Sequence, residues 1–366
     1  MKIKPMTKFA ILALSLVLVA CAGGGSEEAG CPAIDGREIN IVATTPMIGE
    51  FVSQVGGEKI NLTVLMPPEA NPHTYEPAPQ DAGTIAEADL VFYTGLLYEP
   101  AALVKLLENS ACSTDILSEV GESVFPIEFK EGGHDDHDDH DDHDDEEGHD
   151  DEEGHDDHDD EEGHDDEEGH DDEEGHDDEE GHDDHEGHNH GAYDPHFWFD
   201  PSRVAYAAEY IESRLIEFDP ENESSYTSSA DSFVSELNDL TKQVSELIST
   251  VPSQNRKLIT THESLGYLEA KFGLEVLSTI IPSLNSANEI SPSDLAGVID
   301  VIEDNNVKVI FIESEAPSVY SETIVAETGI KSVTGLYVET LKPGQSYSEF
   351  LISNVTLITE NLQDTD

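Results

Sequence analysis

DPENESSYTSSADSFVSELNDLTKQVSELISTVP, residues 219–252, is the segment on which the organisation of the chain turns. Asp219-Pro220 reads as a helix start, because proline pre-sets the helical φ and its missing N–H is not needed in the first turn. No Gly or Pro then appears until Pro252. Phe233, Leu237, Leu240, Val244, Leu247 and Ile248 recur at three- and four-residue steps, which places them on one stripe of a helix. The pattern predicts a helix over 220–250. At 1.5 Å per residue, about 30 residues span roughly 45 Å. That exceeds an ordinary crossover and suits an element running the length of a pair of lobes.

The flanks on both sides alternate strand and helix. EINIVATTP (38–46) and KINLTVLMP (59–67) read as strands around the helix MIGEFVSQVGG (47–57). DAGTIAEA (81–88), DLVFYTG (89–95) and EPAALVKLLENSA (99–111) continue as helix, strand, helix. After Pro252 the rhythm resumes with RKLITTH (256–262), ESLGYLEAKFG (263–273) and LEVLSTI (274–280). SPSDLAGVIDVIEDNN, VKVIFIES, SVYSETIVAETG, SVTGLYV and a closing helix SYSEFLISNVTLITENL follow. The fold class expected is therefore α/β, two lobes with mainly parallel sheets joined by one long helix. The lobes are expected over 38–219 and 251–366.

The N-terminus points outside the cytoplasm. MKIKPMTK is basic, and the twelve residues FAILALSLVLVA are too few to span a bilayer. They end in Leu18-Val19-Ala20-Cys21, which resembles a prokaryotic lipobox. Residues 1–20 are then a signal peptide, Cys21 carries the lipid, 21–37 form a tether, and the membrane is met only through that anchor. A plain secretory signal is the alternative. Cys31 and Cys112 are the remaining cysteines, and outside the cytoplasm an isolated pair is more often a disulfide than two free thiols.

The formal charge of the 366-residue chain is −66, and 36 of its 82 acidic residues lie between Glu131 and Glu186. The rest of the chain is still strongly acidic. Such a surface repels nucleic acid and anionic lipid and concentrates cations; adaptation to a saline medium is the plainer reading. Residues 132–191 are almost wholly His, Asp, Glu and Gly, too polar to offset the entropy of ordering, and read as a disordered insertion. Its histidines are His134, His137, His140, His143, His149, His155, His158, His164, His170, His176, His182, His185, His188 and His190. HDDHDDHDDH spaces imidazoles three residues apart and EEGHDD six apart, so several can gather around one ion on a flexible backbone. Two competing readings are a solvating acidic segment and an oxygen-rich calcium binder, but imidazole in nearly every unit does not suit calcium.

Three histidines lie outside the tract: His73, His196 and His262. Each sits at a turn or strand end, and His262 closes a strand where ligands of open α/β sheets bind. Any one alone reads as an ordinary histidine. Together they make a candidate ligand set for a borderline metal, with a carboxylate or water as the fourth ligand. H-E-x-x-H, G-x-S-x-G and G-x-x-x-x-G-K are all missing from the sequence, so an enzyme is the weaker reading.

NPHTYEPAPQD (71–81), DPHFWFDPSR (194–203) and THESLGYLEAKFGL (261–274) resemble the three histidine segments of the cluster A-I solute-binding proteins, the metal-receptor lipoproteins of ABC transporters. The resemblance covers roughly residues 38 to 362, with the long helix in the expected place. It implies a metal held in the cleft between two lobes joined by a rigid helix, with small rather than clamshell motion. It makes His73, His196 and His262 the imidazole ligands. The family's fourth ligand is an acid within an Asp-Pro-Leu or Asp-Ser-Leu triplet, and Glu339-Thr340-Leu341 stands in its place, a Glu for an Asp. Glu69 and Glu263 are nearby alternatives. Tyr75, Phe197 and Trp198 border the ligands and are expected to pack the cleft wall. The long His- and acid-rich insertion resembles the zinc branch of the family and implies Zn²⁺ as cargo, with the tract as an accessory collector. The implied protein is a monomeric receptor serving an ABC permease, with affinity falling as pH drops through roughly 6.5. A manganese or iron receptor of the same family, or a storage or adhesin lipoprotein, is the alternative.

Overall fold

The computed structural model describes residues 31, 34, 36–68, 70–129, 193–314 and 319–363. Its first half is built on β1 (Ile39–Ala43), which is buried along nearly its whole length because neighbours cover it on both sides. β2 (Ile60–Val64), β1, β3 (Leu90–Tyr93) and β4 (Leu117–Glu119) form one parallel sheet in the order β2-β1-β3-β4. Ile39 to Ala43 lie opposite Ile60 to Val64, and Ile41 to Ala43 opposite Leu90 to Phe92. Parallel pairing requires crossovers, supplied by α1 (Pro46–Gly56), α2 (Pro79–Ala86) and α3 (Ala101–Ser110). The Thr45 side chain caps α1 by accepting from the Ile48 N–H, with Pro46 at the first helical position. Cys31 and Cys112 are joined by a disulfide with Cα atoms 5.1 Å apart, linking the start of the fold to the end of α3.

α4 (Pro201–Phe218) leads into α5 (Glu223–Ser249), the long helix. The helix expected from Pro220 begins three residues later, after a tighter turn at Pro220–Asn222. The reason is local: the Asp219 carboxylate accepts from Asn222 Nδ2 (2.8 Å) and from the Tyr226 hydroxyl (2.6 Å), which holds the chain in a turn before the helix proper. Twenty-seven residues remain, about 40 Å. Tyr226, Ala230, Phe233, Leu237, Leu240, Val244 and Ile248 form its buried stripe.

The second half holds β5 (Lys257–His262), α6 (Gly266–Phe272), β6 (Glu275–Ile281), α7 (Pro292–Asn305), β7 (Val309–Glu313), α8 (Val319–Thr328), β8 (Lys331–Leu336) and α9 (Tyr347–Gln363). β5 pairs with β6 and β7 with β8, both parallel. The two ribbons lie side by side, and the Glu313 N–H donates to Thr261 Oγ1 (2.9 Å). α5 packs on α1 and α4 of the first half and on α9 of the second, so one apolar core runs through both. Tyr347 of α9 meets Phe51 of α1 edge-on at 5.3 Å, and Phe199 meets Phe350 at 5.7 Å. Opening the halves widely would expose this shared core to water, which opposes large hinge motion.

Glu128 and Tyr193 form an antiparallel bridge, and the Asp194 N–H donates to the Ile127 carbonyl (3.0 Å). The chain thus leaves for residues 130–192 and returns at one spot. Cys21, the tract histidines and Glu69 lie outside the described residues. Among the described residues no helix is long and apolar enough to cross a membrane.

Candidate metal centre

Each of the four singled-out side chains is aimed by its own local device. His73 follows β2 in a short turn, where Asn71 Oδ1 accepts from the His73 N–H (2.9 Å) and fixes the backbone. Asn71 Nδ2 also donates to Ser286 Oγ (3.0 Å), tying this loop to the second half. His196 precedes a turn at Phe197–Phe199, and Asp194 Oδ1 accepts from both its backbone N–H (2.9 Å) and its ring Nδ1 (2.8 Å). His262 ends β5 beside Glu313, which ends β7; Glu313 takes the His262 Nδ1 hydrogen bond on one oxygen and the His262 N–H (3.2 Å) on the other. Glu339 lies in the loop after β8. The preceding Val338 carbonyl accepts from Trp198 Nε1 (2.9 Å), and the Trp198 carbonyl accepts from the Tyr347 hydroxyl (2.7 Å).

These devices bring His73, His196, His262 and Glu339 together, with one ligand atom from each lying within 4.8 Å of the others. Glu339 Oε1 is 3.0 Å from His73 Nε2 and 3.0 Å from His262 Nε2, and Oε2 is 3.5 Å from His196 Nε2. His196, His262 and Glu339 are buried. The Nε2 atoms of His196 and His262 have no hydrogen bond of good geometry, although buried nitrogen is costly to leave so. Asp194 and Glu313 only accept when ionised, so they hold the Nδ1 protons and turn each Nε2 toward the common centre. That is the arrangement a metal-binding imidazole needs.

The charges support the same reading. Burial works against a charged His196, but hydrogen bonding to Asp194 and the nearby Glu339 outweighs it and lifts the pKa to about 9. Burial likewise opposes a charged His262, and the negative Glu313 and Glu339 outweigh it, raising the imidazole well above its ordinary value. For Glu339 burial favours the neutral acid, yet His73 and His262 hold it well below the usual carboxylate range. In the metal-free protein these raised imidazoles stabilise the fold below about pH 6.5 and lose that contribution as pH rises through about 9 for His196. A cation at Nε2 must displace the proton, so affinity has the opposite dependence and rises with pH. We expect about a tenfold gain between pH 7 and 8 for each proton displaced, measured by competition titration. This moves the window upward from the 6.5 of an ordinary imidazole; a flat profile above pH 7 would contradict it.

Of the other residues singled out, Phe197 and Trp198 are fully buried; Trp198 meets His196 edge-on at 5.5 Å, while the Phe197 ring packs on Phe51 at 6.1 Å in the shared core. Tyr75 does not face the ligands: its hydroxyl donates to the Leu65 carbonyl (3.3 Å) and Asp81 (3.0 Å), and its ring packs on the apolar cluster containing Met66 and Ile85. Glu263 accepts from Thr279 Oγ1 (2.9 Å) and stays outside the group. Sequence reasoning did not pick out Asp194, Glu313 or Tyr98. Asp194 had a signal, lying two residues before His196 as an acid before a proline turn; Glu313 had a weaker one, an acid ending an apolar strand.

The family model described as zinc-uptake complex component A, periplasmic (ZnuA) matches residues 41–361. The manganese-binding lipoprotein MntA of Halalkalibacterium halodurans is 21% identical over 360 residues, covering 97% of each chain. The high-affinity zinc uptake system protein ZnuA of Bacillus subtilis is 26% identical over 364 residues, covering 97% of this chain and 96% of that one. Among solved structures, the periplasmic zinc-binding protein TroA of Treponema pallidum superposes with a TM-score of 0.67 at 19% identity, over 89% of this chain and 99% of that one. Fe(III)-bound YtgA of Chlamydia trachomatis superposes with a TM-score of 0.66 at 22% identity, over 88% and 98%. At these identities the structures carry the fold: two lobes of mainly parallel α/β structure.

Proposed function

The chain belongs to the ZnuA family of metal-binding substrate-binding proteins of ABC transporters, receptors rather than enzymes, and from that membership we propose that it binds Zn²⁺ outside the cytoplasm and hands it to its permease. The observation that carries the choice of zinc is the donor set, three imidazoles and one carboxylate converging on a buried point. Three borderline imidazoles with a single carboxylate suit a tetrahedral Zn²⁺, whereas Mn²⁺ favours six mostly oxygen ligands. In this reading His73, His196, His262 and Glu339 are the ligands, and Asp194 and Glu313 orient two of them. Cys21 carries the lipid that keeps the receptor at the membrane. The histidines of the tract collect zinc weakly near the cleft and raise its local concentration.

Manganese is the second reading. It is favoured by the names of several relatives, among them the manganese-binding lipoprotein of H. halodurans, and by the ability of a carboxylate to bind through two oxygens. The test is metal content and Zn²⁺/Mn²⁺ competition on the mature soluble protein and on the same protein lacking residues 133–191. The zinc receptor reading expects one tightly held zinc to survive the deletion and several weak ones to be lost. Preference for manganese at the retained site would select the second reading. Loss of all tight binding on deletion would make the tract the main metal site and point to storage or scavenging.

A further inference from the structure

Tyr98 belongs to the first half, yet its hydroxyl reaches across to the second. It lies 3.0 Å from Glu339 Oε2 and 3.0 Å from the Glu339 carbonyl, a shared donor to both. The side chain is 2% exposed, and its ring meets His73, His196 and Trp198 edge-on at 5.1, 5.9 and 5.3 Å. The two oxygens of Glu339 therefore differ: Oε1 sits 3.0 Å from the Nε2 atoms of both His73 and His262, while Oε2 takes the phenol at 3.0 Å and lies farther, 3.5 Å, from His196 Nε2.

The backbone that presents Tyr98 is strained. Gly95, Leu96 and Leu97 all have positive φ, at 76, 54 and 61 degrees, a region that leucine rarely enters. Two carboxylates, the buried Glu99 and the half-buried Glu119, hold it there. Glu99 accepts from the Thr94 N–H (2.7 Å), the Gly95 N–H (2.9 Å) and Thr44 Oγ1 (2.7 Å), and Glu119 accepts from the Leu96 N–H (2.9 Å). Strain of this kind persists only where the surroundings over-determine it. Its result is a phenol fixed against the carboxylate at the proposed metal centre.

Resting on the ligand set proposed above, we propose that Tyr98 sets how Glu339 binds metal: by holding Oε2 it leaves Oε1 as the single coordinating oxygen and so favours a four-coordinate ion. A carboxylate free to use both oxygens raises the coordination number, which suits Mn²⁺ better than Zn²⁺. Tyr98 is thus a positioning residue for metal selectivity.

The experiment compares the full mature protein with Tyr98→Phe, Tyr98→Leu and Glu339→Gln. Zn²⁺ and Mn²⁺ affinities are measured by competition, and the visible spectrum of the Co²⁺-loaded protein reports coordination number, because tetrahedral Co²⁺ absorbs far more strongly than five- or six-coordinate Co²⁺. Losing one hydrogen bond to a charged ligand is expected to shift the Zn²⁺:Mn²⁺ affinity ratio toward manganese by about 3- to 10-fold in Tyr98→Phe, which keeps the ring packing. The Co²⁺ bands should weaken in parallel, and Tyr98→Leu should move both readouts the same way. An unchanged ratio and spectrum in Tyr98→Phe, with binding impaired in Glu339→Gln, would overturn this inference and leave the ligand set standing. Full-strength binding by Glu339→Gln would overturn the ligand set, and this inference with it.

Discussion

Glu339→Ala is expected to weaken metal binding about 10²- to 10³-fold in competition titrations. Glu339 is 1% exposed and stands among three imidazoles, with its oxygens 3.0, 3.0 and 3.5 Å from their Nε2 atoms. Removing one partner from a buried charged cluster costs about 3–5 kcal/mol, and each 1.4 kcal/mol is tenfold in affinity. Part of that loss is returned near neutral pH. Without the carboxylate, His196 and His262 lose a group that raises their pKa values, so fewer protons compete with the metal. The deficit is therefore larger at pH 9 than at pH 7, because proton competition at His196 in the parent protein is weaker there. Measuring at pH 7 and pH 9 separates lost coordination from lost proton competition. Unimpaired binding by the variant at both pH values would remove Glu339 from the ligand set.

Trp198→Ala should destabilise the metal-free protein by about 4 kcal/mol or more in chemical unfolding. The side chain is fully buried in the core shared by the two halves, and truncating a buried Trp or Phe costs about 3–5 kcal/mol. It also removes the indole N–H from which the Val338 carbonyl accepts, at about 1–3 kcal/mol for a buried acceptor deprived of that donor. Trp198→Phe isolates the second contribution: most apolar contact remains, and a loss of about 1–3 kcal/mol is expected. Because Val338 precedes Glu339, both variants should also bind metal more weakly than their stability alone explains. A change under about 0.5 kcal/mol in both variants would show that this link between the halves is dispensable.

The parts legible in the amino-acid sequence were those written in local patterns. The apolar stripe from Phe233 to Ile248 announced the long helix, since a period of 3.6 residues is a property of consecutive positions. Its first turn is not legible in the same way: Asp219-Pro220 has the residue types of a helix start, yet the Asp219 carboxylate is committed to Asn222 and Tyr226 and the helix begins at Glu223. His73, His196 and His262 stood out because they were the histidines outside the tract, each at a turn or strand end. Tyr75 was misplaced because neighbourhood in sequence does not fix where a ring points; Asp81 and the Leu65 carbonyl draw it away from the centre.

The amino-acid order thus carried the element types, the lobe–helix–lobe arrangement and the imidazoles, because these follow from periodicity, turn chemistry and residue type. Folding in three dimensions chose the partners. His262 meets Glu313 across 51 residues, and Tyr98 meets Glu339 across 241. In a chain with 82 acidic residues, Glu339 is marked in the sequence only by the resemblance of its triplet to the family's, and Glu313 only by ending an apolar strand. What sets them apart is burial beside an imidazole, where a charge is held only when paired, and that depends on which strand ends and loops the shared core brings together.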